Sequence, residues 1–270
     1  MDGREDAVWW ASRVLNLLWV EMESAAHLTD SARRRLLVAL HNEVAECRAC
    51  HRLVEWREEV AREKRAAYRD WEYWGRGVPG FGDPDAQILV LGLAPAAHGA
   101  NRTGRVFTGD RSGDWLFRAM HRAGLANQPK SVAIDDGLTL AGAWVTAAVK
   151  CAPPGNQPLP DERDACRPFL VRELDLLDRV SVIVCLGAFG YEAACTQLGV
   201  RPRPKFGHGV EVAVSGPHGP VMLVCSFHPS QQNTFTGRLT EPMIDAVFTR
   251  AVTLAGLRPG RAGPGRAGLS

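Results

Sequence analysis

The chain has almost no net charge: 32 Lys and Arg against 30 Asp and Glu leave +2 over 270 residues. There is therefore no chain-wide basic field of the kind that holds nucleic acid without regard to sequence. Any such contact must come from a local surface. No apolar run reaches the ~18 residues that a membrane span requires, and no secretory signal pattern is visible. The stretch Val8 to Val20 is apolar but interrupted by Arg13 and Asn16, which suits a helix of a soluble protein. No G-x-G-x-x-G follows the first strand, which argues against a dinucleotide-dependent redox enzyme. Internal repeats are absent as well.

What is present is a set of seven cysteines. Without a secretory signal they belong to a reducing compartment and are expected as thiols, placing the protein in the cytoplasm. Cys185, Cys195 and Cys225 lie in apolar surroundings and read as small core residues. Cys47 and Cys50 form Cys-Arg-Ala-Cys, and Cys151 and Cys166 follow in polar, Pro-rich or Arg-rich contexts that suit metal ligands. Four thiolates fit a [4Fe–4S] cluster or a tetrahedral zinc, and spacing does not separate the two.

The pattern of elements predicts an α/β fold. Residues 4 to 46 read as helical, with a break and restart under a cap at Thr29-Asp30-Ser31. Glu55 to Trp74 is charge-dense, with Glu58 and Arg62 spaced i,i+4, and reads as a further helix. Four strands are expected at Gln87–Gly92, Ala143–Val149, Val180–Leu186 and Val221–Ser226. Helices are expected at Ser112–Gly124, Pro160–Asp178 (capped at Asp161), Ala188–Leu198 and Glu241–Leu257. This alternation implies a single domain with a central, parallel-rich four-stranded sheet flanked by helices. The expected division is an N-terminal helical extension over 1–43, the domain over 44–257, and a disordered Gly/Pro/Arg tail over 258–270.

Sites of open α/β sheets form at the carboxyl ends of the strands. Three polar, Gly-rich loops are expected there. The first runs Gly92-Leu-Ala-Pro-Ala-Ala-His-Gly and on through Asn101-Arg-Thr-Gly-Arg-Val-Phe-Thr-Gly-Asp110. The second is Lys150-Cys-Ala-Pro-Pro-Gly-Asn156. The third is Phe227-His-Pro-Ser-Gln-Gln-Asn-Thr-Phe-Thr-Gly-Arg238.

These loops, together with the cysteine pairs, resemble the iron–sulfur uracil-DNA glycosylases, in particular family 5 (type B). The first loop is similar to that family's motif A and the third to its motif B, His-Pro-Ser. The likeness covers roughly residues 44 to 255. It implies a [4Fe–4S] cluster on Cys47, Cys50, Cys151 and Cys166. It also implies a uracil-DNA glycosylase-like fold and a monomer acting on double-stranded DNA, nucleoid-associated through that DNA. The reaction implied is hydrolysis of the N-glycosidic bond of a flipped, deaminated base to leave an abasic site.

The resemblance also assigns roles. Asp110 is to steady the sugar cation and orient water, Asn156 to position that water, and His228 to donate a hydrogen bond to the leaving base. Phe107 is to stack under the base, with Gly92 and Ala94 beside it; Gly92 and Gly104 let backbone approach closely. Gln231, Gln232, Asn233 and Arg238 form the loop that enters the duplex. Arg102, Arg105, Arg111, His208 and the Arg201-Pro-Arg-Pro-Lys205 stretch are phosphate contacts. Two departures from related families stand out. Leu93 follows Gly92 where relatives carry a polar residue, and Ala147 stands where family 4 has an Asn that reads uracil. Both shift the chemistry to Asp110 and imply a broad base preference, with hypoxanthine accepted beside uracil. A non-catalytic iron–sulfur protein that binds DNA damage, and an electron-transfer protein, are the other classes these residues admit.

Overall fold

The computed structural model describes residues 28–258; the expected helix before residue 28 and the expected tail from 259 onward lie outside them. Two compact units are distinguished, residues 1–36 and 37–270. Helix α1 (Asp30–Glu46) runs unbroken through residue 43, where the sequence reading divided extension from domain. Its first turn is capped by the Thr29 hydroxyl, which accepts from the Ala32 amide.

Helix α2 (His51–Glu63) follows the Cys-x-x-Cys turn. The sequence reading carried a helix on to Trp74, but α2 stops where Lys64 takes a left-handed φ of 57°. The reason is tertiary. Tyr68 and Trp71 fold back so that both rings lie against the Arg102 guanidinium, 4.0 and 4.2 Å from their ring centres.

The remaining elements are β1 (Phe81–Gly82), β2 (Ile88–Gly92), α3 (Ala100–Thr103), α4 (Arg111–Arg122) and β3 (Ala143–Ala147). They continue with α5 (Pro160–Leu176), β4 (Val182–Leu186), α6 (Gly187–Gln197), β5 (Glu211–Gly216), β6 (Gly219–Ser226), α7 (Gln231–Phe235) and α8 (Glu241–Leu254). The four expected strands are β2, β3, β4 and β6, all parallel to their neighbours among themselves. Two antiparallel strands extend the sheet to six, in the order β1-β3-β2-β4-β6-β5. The edge strand β5 escapes a search for apolar runs because its residues lie between half-buried and exposed. At α5 the first-turn partner is Glu162 rather than Asp161: its carboxylate accepts from the Leu159 amide at 2.7 Å.

Alternation along the strands builds a core on each side. Ile88 and Val90 of β2 join Val182 and Val184 beneath α4 and α8, whereas Leu89 and Leu91 join Ile183 and Cys185 beneath α5 and α6. Cys185, Cys195 and Cys225 are buried in the second core, as small apolar residues would be. The order of strands places a switch point between β2 and β4, since the chain leaves β2 for β3 on one side and returns to β4 on the other. Loops diverge there and leave a crevice at the carboxyl ends. Among the described residues no helix is long and apolar enough to cross a membrane.

Candidate active site

A cavity of about 620 Å³ opens at this switch point. Its apolar inner wall is built from residues such as Leu93, Val106, Leu186 and Phe227, and its rim from the loops after β2, β3 and β6. Asp110, Asn156 and His228 all line it, from three different loops. So do Ala94, Phe107, Gln231, Gln232, Asn233 and Arg238.

Asp110 is the N-cap of α4. Its Oδ1 accepts from the Gly113 amide at 2.9 Å, so the residue is both a cap and a member of the cavity wall. The carboxylate lies so close to the Gly99 backbone that a Cβ there would collide with Oδ2. Burial pushes its pKa up; the Gly113 and Ser112 amides and the Arg102 charge pull the other way, and Asp114 adds to the rise. The amides and the helix N-terminus offset part of the cost of placing a carboxylate in the cavity wall.

His228 lines the same cavity, two residues after the end of β6. The Asn233 side chain donates to its carbonyl at 2.9 Å. The preceding Phe227 amide donates to His208 Nδ1 at 3.2 Å, with the two rings 5.2 Å apart. Burial pushes the His228 pKa down from 6.5 to about 4, so the imidazole is neutral near pH 7. That shift predicts a pH dependence of stability. Between pH 6.5 and about 4 the unfolded chain binds a proton at this site that the folded one does not. Stability therefore falls on acidification through that window, by up to about 3 kcal/mol from this group. Asp110, with its pKa raised, acts in the opposite sense. Urea denaturation of wild type and His228→Gln at pH 7 and pH 5 checks this: the variant should lose less stability on acidification than the wild type.

Phe107 adopts a left-handed φ of 55°, rare for a bulky residue and a mark of a site that over-determines its backbone. Its ring lies on Gly92, where a Cβ would approach Cζ to 2.7 Å, and 6.0 Å from the His228 ring. Gly92 therefore admits Phe107 rather than DNA. Gly104 likewise admits Trp74.

Several expectations are corrected. Arg105 does not face phosphate. It is 3% exposed and pairs with Asp136 at 2.7 Å while donating to Ser131 Oγ at 2.7 Å, so it ties the loop down from within. Arg102 is also interior, donating to the carbonyls of His98 and Gly109 at 2.8 Å each and so closing the loop around Asp110. Ala147 is 1% exposed, in register with Gly92 and in the same apolar cluster as Phe107; it does not line the cavity. His208 is half-buried and spent on the Phe227 amide, which makes it a support of the His228 loop. The expected loop at Gln231 is the short helix α7, capped by Ser230.

The structure also presents residues that the sequence reading passed over. Phe235, 66% exposed, sits at the end of α7 with the Arg111 guanidinium 4.2 Å from its ring centre. Phe189 is 51% exposed on the opposite part of the rim. An aromatic inside an otherwise polar loop was the available signal for Phe235.

Cys47, Cys50, Cys151 and Cys166 line one small hollow of their own, with Leu53 and Phe169. All four are free. Burial pushes the Cys166 thiol up to about 12 and raises Cys50 and Cys151, as for thiols held among apolar groups. Ala94 packs against this group and also lines the cavity, so the two sites share a wall.

This geometry is that of a base-excision enzyme fold, and residues 79–251 match the Uracil DNA glycosylase superfamily. The chain is 54% identical to a type-5 uracil-DNA glycosylase of Mycobacterium tuberculosis over 217 residues, 79% of this chain and 80% of that protein. It is 51% identical to the type-5 enzyme of Thermus thermophilus over 212 residues, 78% and 94% of the two chains. Similarity to a type-4 uracil-DNA glycosylase of Sulfurisphaera tokodaii is lower, 32% over 130 residues, 48% and 52% of the two chains. The chain belongs to the uracil DNA glycosylase superfamily and, within it, to the type-5 family of enzymes.

Proposed function

We propose that this enzyme removes uracil, and also hypoxanthine, from double-stranded DNA after the damaged nucleotide is flipped into the cavity. The observation that carries the reading is the placement of Asp110 and His228 in one cavity, a carboxylate and a neutral imidazole from different loops. Breaking an N-glycosidic bond leaves positive charge on the sugar and negative charge on the departing base. The Asp110 carboxylate answers the first and orients a water for attack at the anomeric carbon. The Asn156 carboxamide, held in a left-handed turn with φ 58°, positions that water. His228 donates a hydrogen bond to the base as it leaves. Phe107 supplies the face against which the base lies.

A broad preference follows from the wall of the cavity. A site rejects a wrong base strongly only when its own buried polar atoms are left unpaired by it. Here the inner wall is apolar, and the Asn233 side chain is already spent on the His228 carbonyl. The volume admits a purine as well as a pyrimidine. The exposed Gln231, Gln232 and Arg238 on α7 and just after it are placed to meet the duplex, with Arg238 4.7 Å from the Phe227 ring centre. The enzyme acts as a monomer in the cytoplasm, on nucleoid DNA, and the catalytic domain spans 44–257.

The cysteine site is assigned a [4Fe–4S] cluster. The family resemblance favours it over a tetrahedral zinc, which the same four thiolates would also suit. The four thiols line one small hollow, and four thiolates are the donor set that a [4Fe–4S] centre takes. The cluster would tie the turn before α2 to α5 and the loop after β3, a structural role.

The test is incubation with duplexes carrying uracil, hypoxanthine or no lesion, followed by alkaline cleavage. Strand breaks are expected at uracil and hypoxanthine and absent from the control, with mismatched pairs cut faster because they cost less to open. An enzyme inert on hypoxanthine refutes the broad pocket; one inert on uracil refutes the assignment.

A further inference from the structure

Beside the cysteines lies a buried cation that, among the described residues, makes no ion pair with a carboxylate. Arg57, on α2, is 1% exposed. Its Nη1 donates to Cys151 Sγ at 2.9 Å and its Nη2 to the Cys47 carbonyl at 2.8 Å, while Nε has no partner. Among the described residues no ion pair joins it to a carboxylate; its sequence neighbour Glu58 pairs with Arg48 instead. The other buried cation at this corner, Lys150, is paired with Glu173 at 2.6 Å and held by the Thr146 hydroxyl as well.

A guanidinium keeps its charge in any protein interior. Left buried without a counter-ion it is strongly unfavourable. A neutral thiol does not supply the missing charge, but a thiolate does. A cubane held by four thiolates is a net anion, and its ligand sulfurs accept hydrogen bonds. The Lys150 amide already donates to Cys166 Sγ at 3.2 Å, so two of the four sulfurs have a donor in place.

We propose that Arg57 is the counter-charge and sulfur hydrogen-bond donor of the iron–sulfur centre, a positioning residue that slows loss of the centre and raises its reduction potential. This rests on the iron–sulfur reading above. Donors to ligand sulfurs stabilise the more negative, reduced state, which raises the potential. Removal of groups that orient metal ligands typically costs ten- to a hundredfold in metal affinity. Asn101 on α3 donates its side-chain N–H to the Arg57 carbonyl at 3.1 Å and so holds the turn of α2 that carries the guanidinium.

The experiment uses the full chain purified without oxygen, as wild type, Arg57→Gln and Arg57→Lys. Iron and sulfide per chain, the rate at which an iron chelator bleaches the visible absorption, and the midpoint of a potentiometric titration are measured. Wild type is expected to hold about four irons. Arg57→Gln is expected to bleach roughly tenfold faster and to show a lower midpoint. Arg57→Lys, which keeps the charge and loses the fork, should fall between. A residue that merely packs would change melting temperature and leave the midpoint alone. An iron-replete Arg57→Gln with wild-type midpoint and bleaching rate overturns the inference and leaves the cluster reading standing. A wild type without iron overturns both. If Arg57→Gln does not accumulate, Arg57→Lys decides: wild-type values in both measurements overturn the proposal, and a lower midpoint with faster bleaching supports it.

Discussion

Asp110→Asn is expected to lower single-turnover base release by roughly a thousandfold, about 4 kcal/mol, while duplex binding stays near wild type. The substitution is chosen because Asp110 has two tasks. Its Oδ1 caps α4 through the Gly113 amide. Asn caps a helix about as well as Asp, so the variant keeps the fold and loses only the charge. The charge acts mainly in the transition state, where the sugar becomes cationic, so its loss appears in the rate and not in affinity for the ground state. Asp110→Ala removes the cap as well and should additionally lose ~1 kcal/mol of stability. On the proposed role the same residue should set the acid limb of the pH profile. Burial raises its pKa, so activity should rise with pH through a range above that of an ordinary Asp and then level off. Single-turnover rates of Asp110→Asn close to wild type would assign the stabilisation to another group.

His228→Ala is expected to cost 2–4 kcal/mol in the same assay, roughly thirty- to a thousandfold, as for removal of one donor to a developing anion. Because burial holds the imidazole neutral down to about pH 4, His228 acts as a neutral hydrogen-bond donor and no histidine titration should appear in the rate between pH 5 and 8. His228→Gln retains an N–H and should recover part of the loss, whereas Asn233→Ala, which frees the His228 carbonyl, should cost less than His228→Ala. A clear histidine step near pH 6.5, or equal rates for His228→Ala and wild type, would remove His228 from this role.

The sequence by itself determined the four parallel strands and their helices. Continuous apolar runs such as Ile88–Leu91 can only be satisfied when a strand is buried on both faces, and that pattern is local. It also placed Asp110, Asn156 and His228 on three loops that follow three strands, and the structure brings all three to one cavity. It separated the four cysteines that line one hollow from the three of the core, because flanking polarity is written in neighbouring residues.

Only the tertiary structure decided which charges face outward. Arg102 and Arg105 stand in a polar, Gly-rich loop and look solvated there, yet partners distant in sequence, Tyr68, Trp71 and Asp136, take them inside. The same is true of Ala147, whose neighbour Phe107 is laid over Gly92 by a left-handed turn that no periodicity announces. Arg57 reads as one more charge on a solvated helix, and becomes a partner for a cysteine only when α2 packs against the loop after β3. Local patterns determine which segments are strands and helices because burial of a face repeats at a fixed period. The partners of a single charged or aromatic side chain have no period, and the packing of the chain on itself decides them.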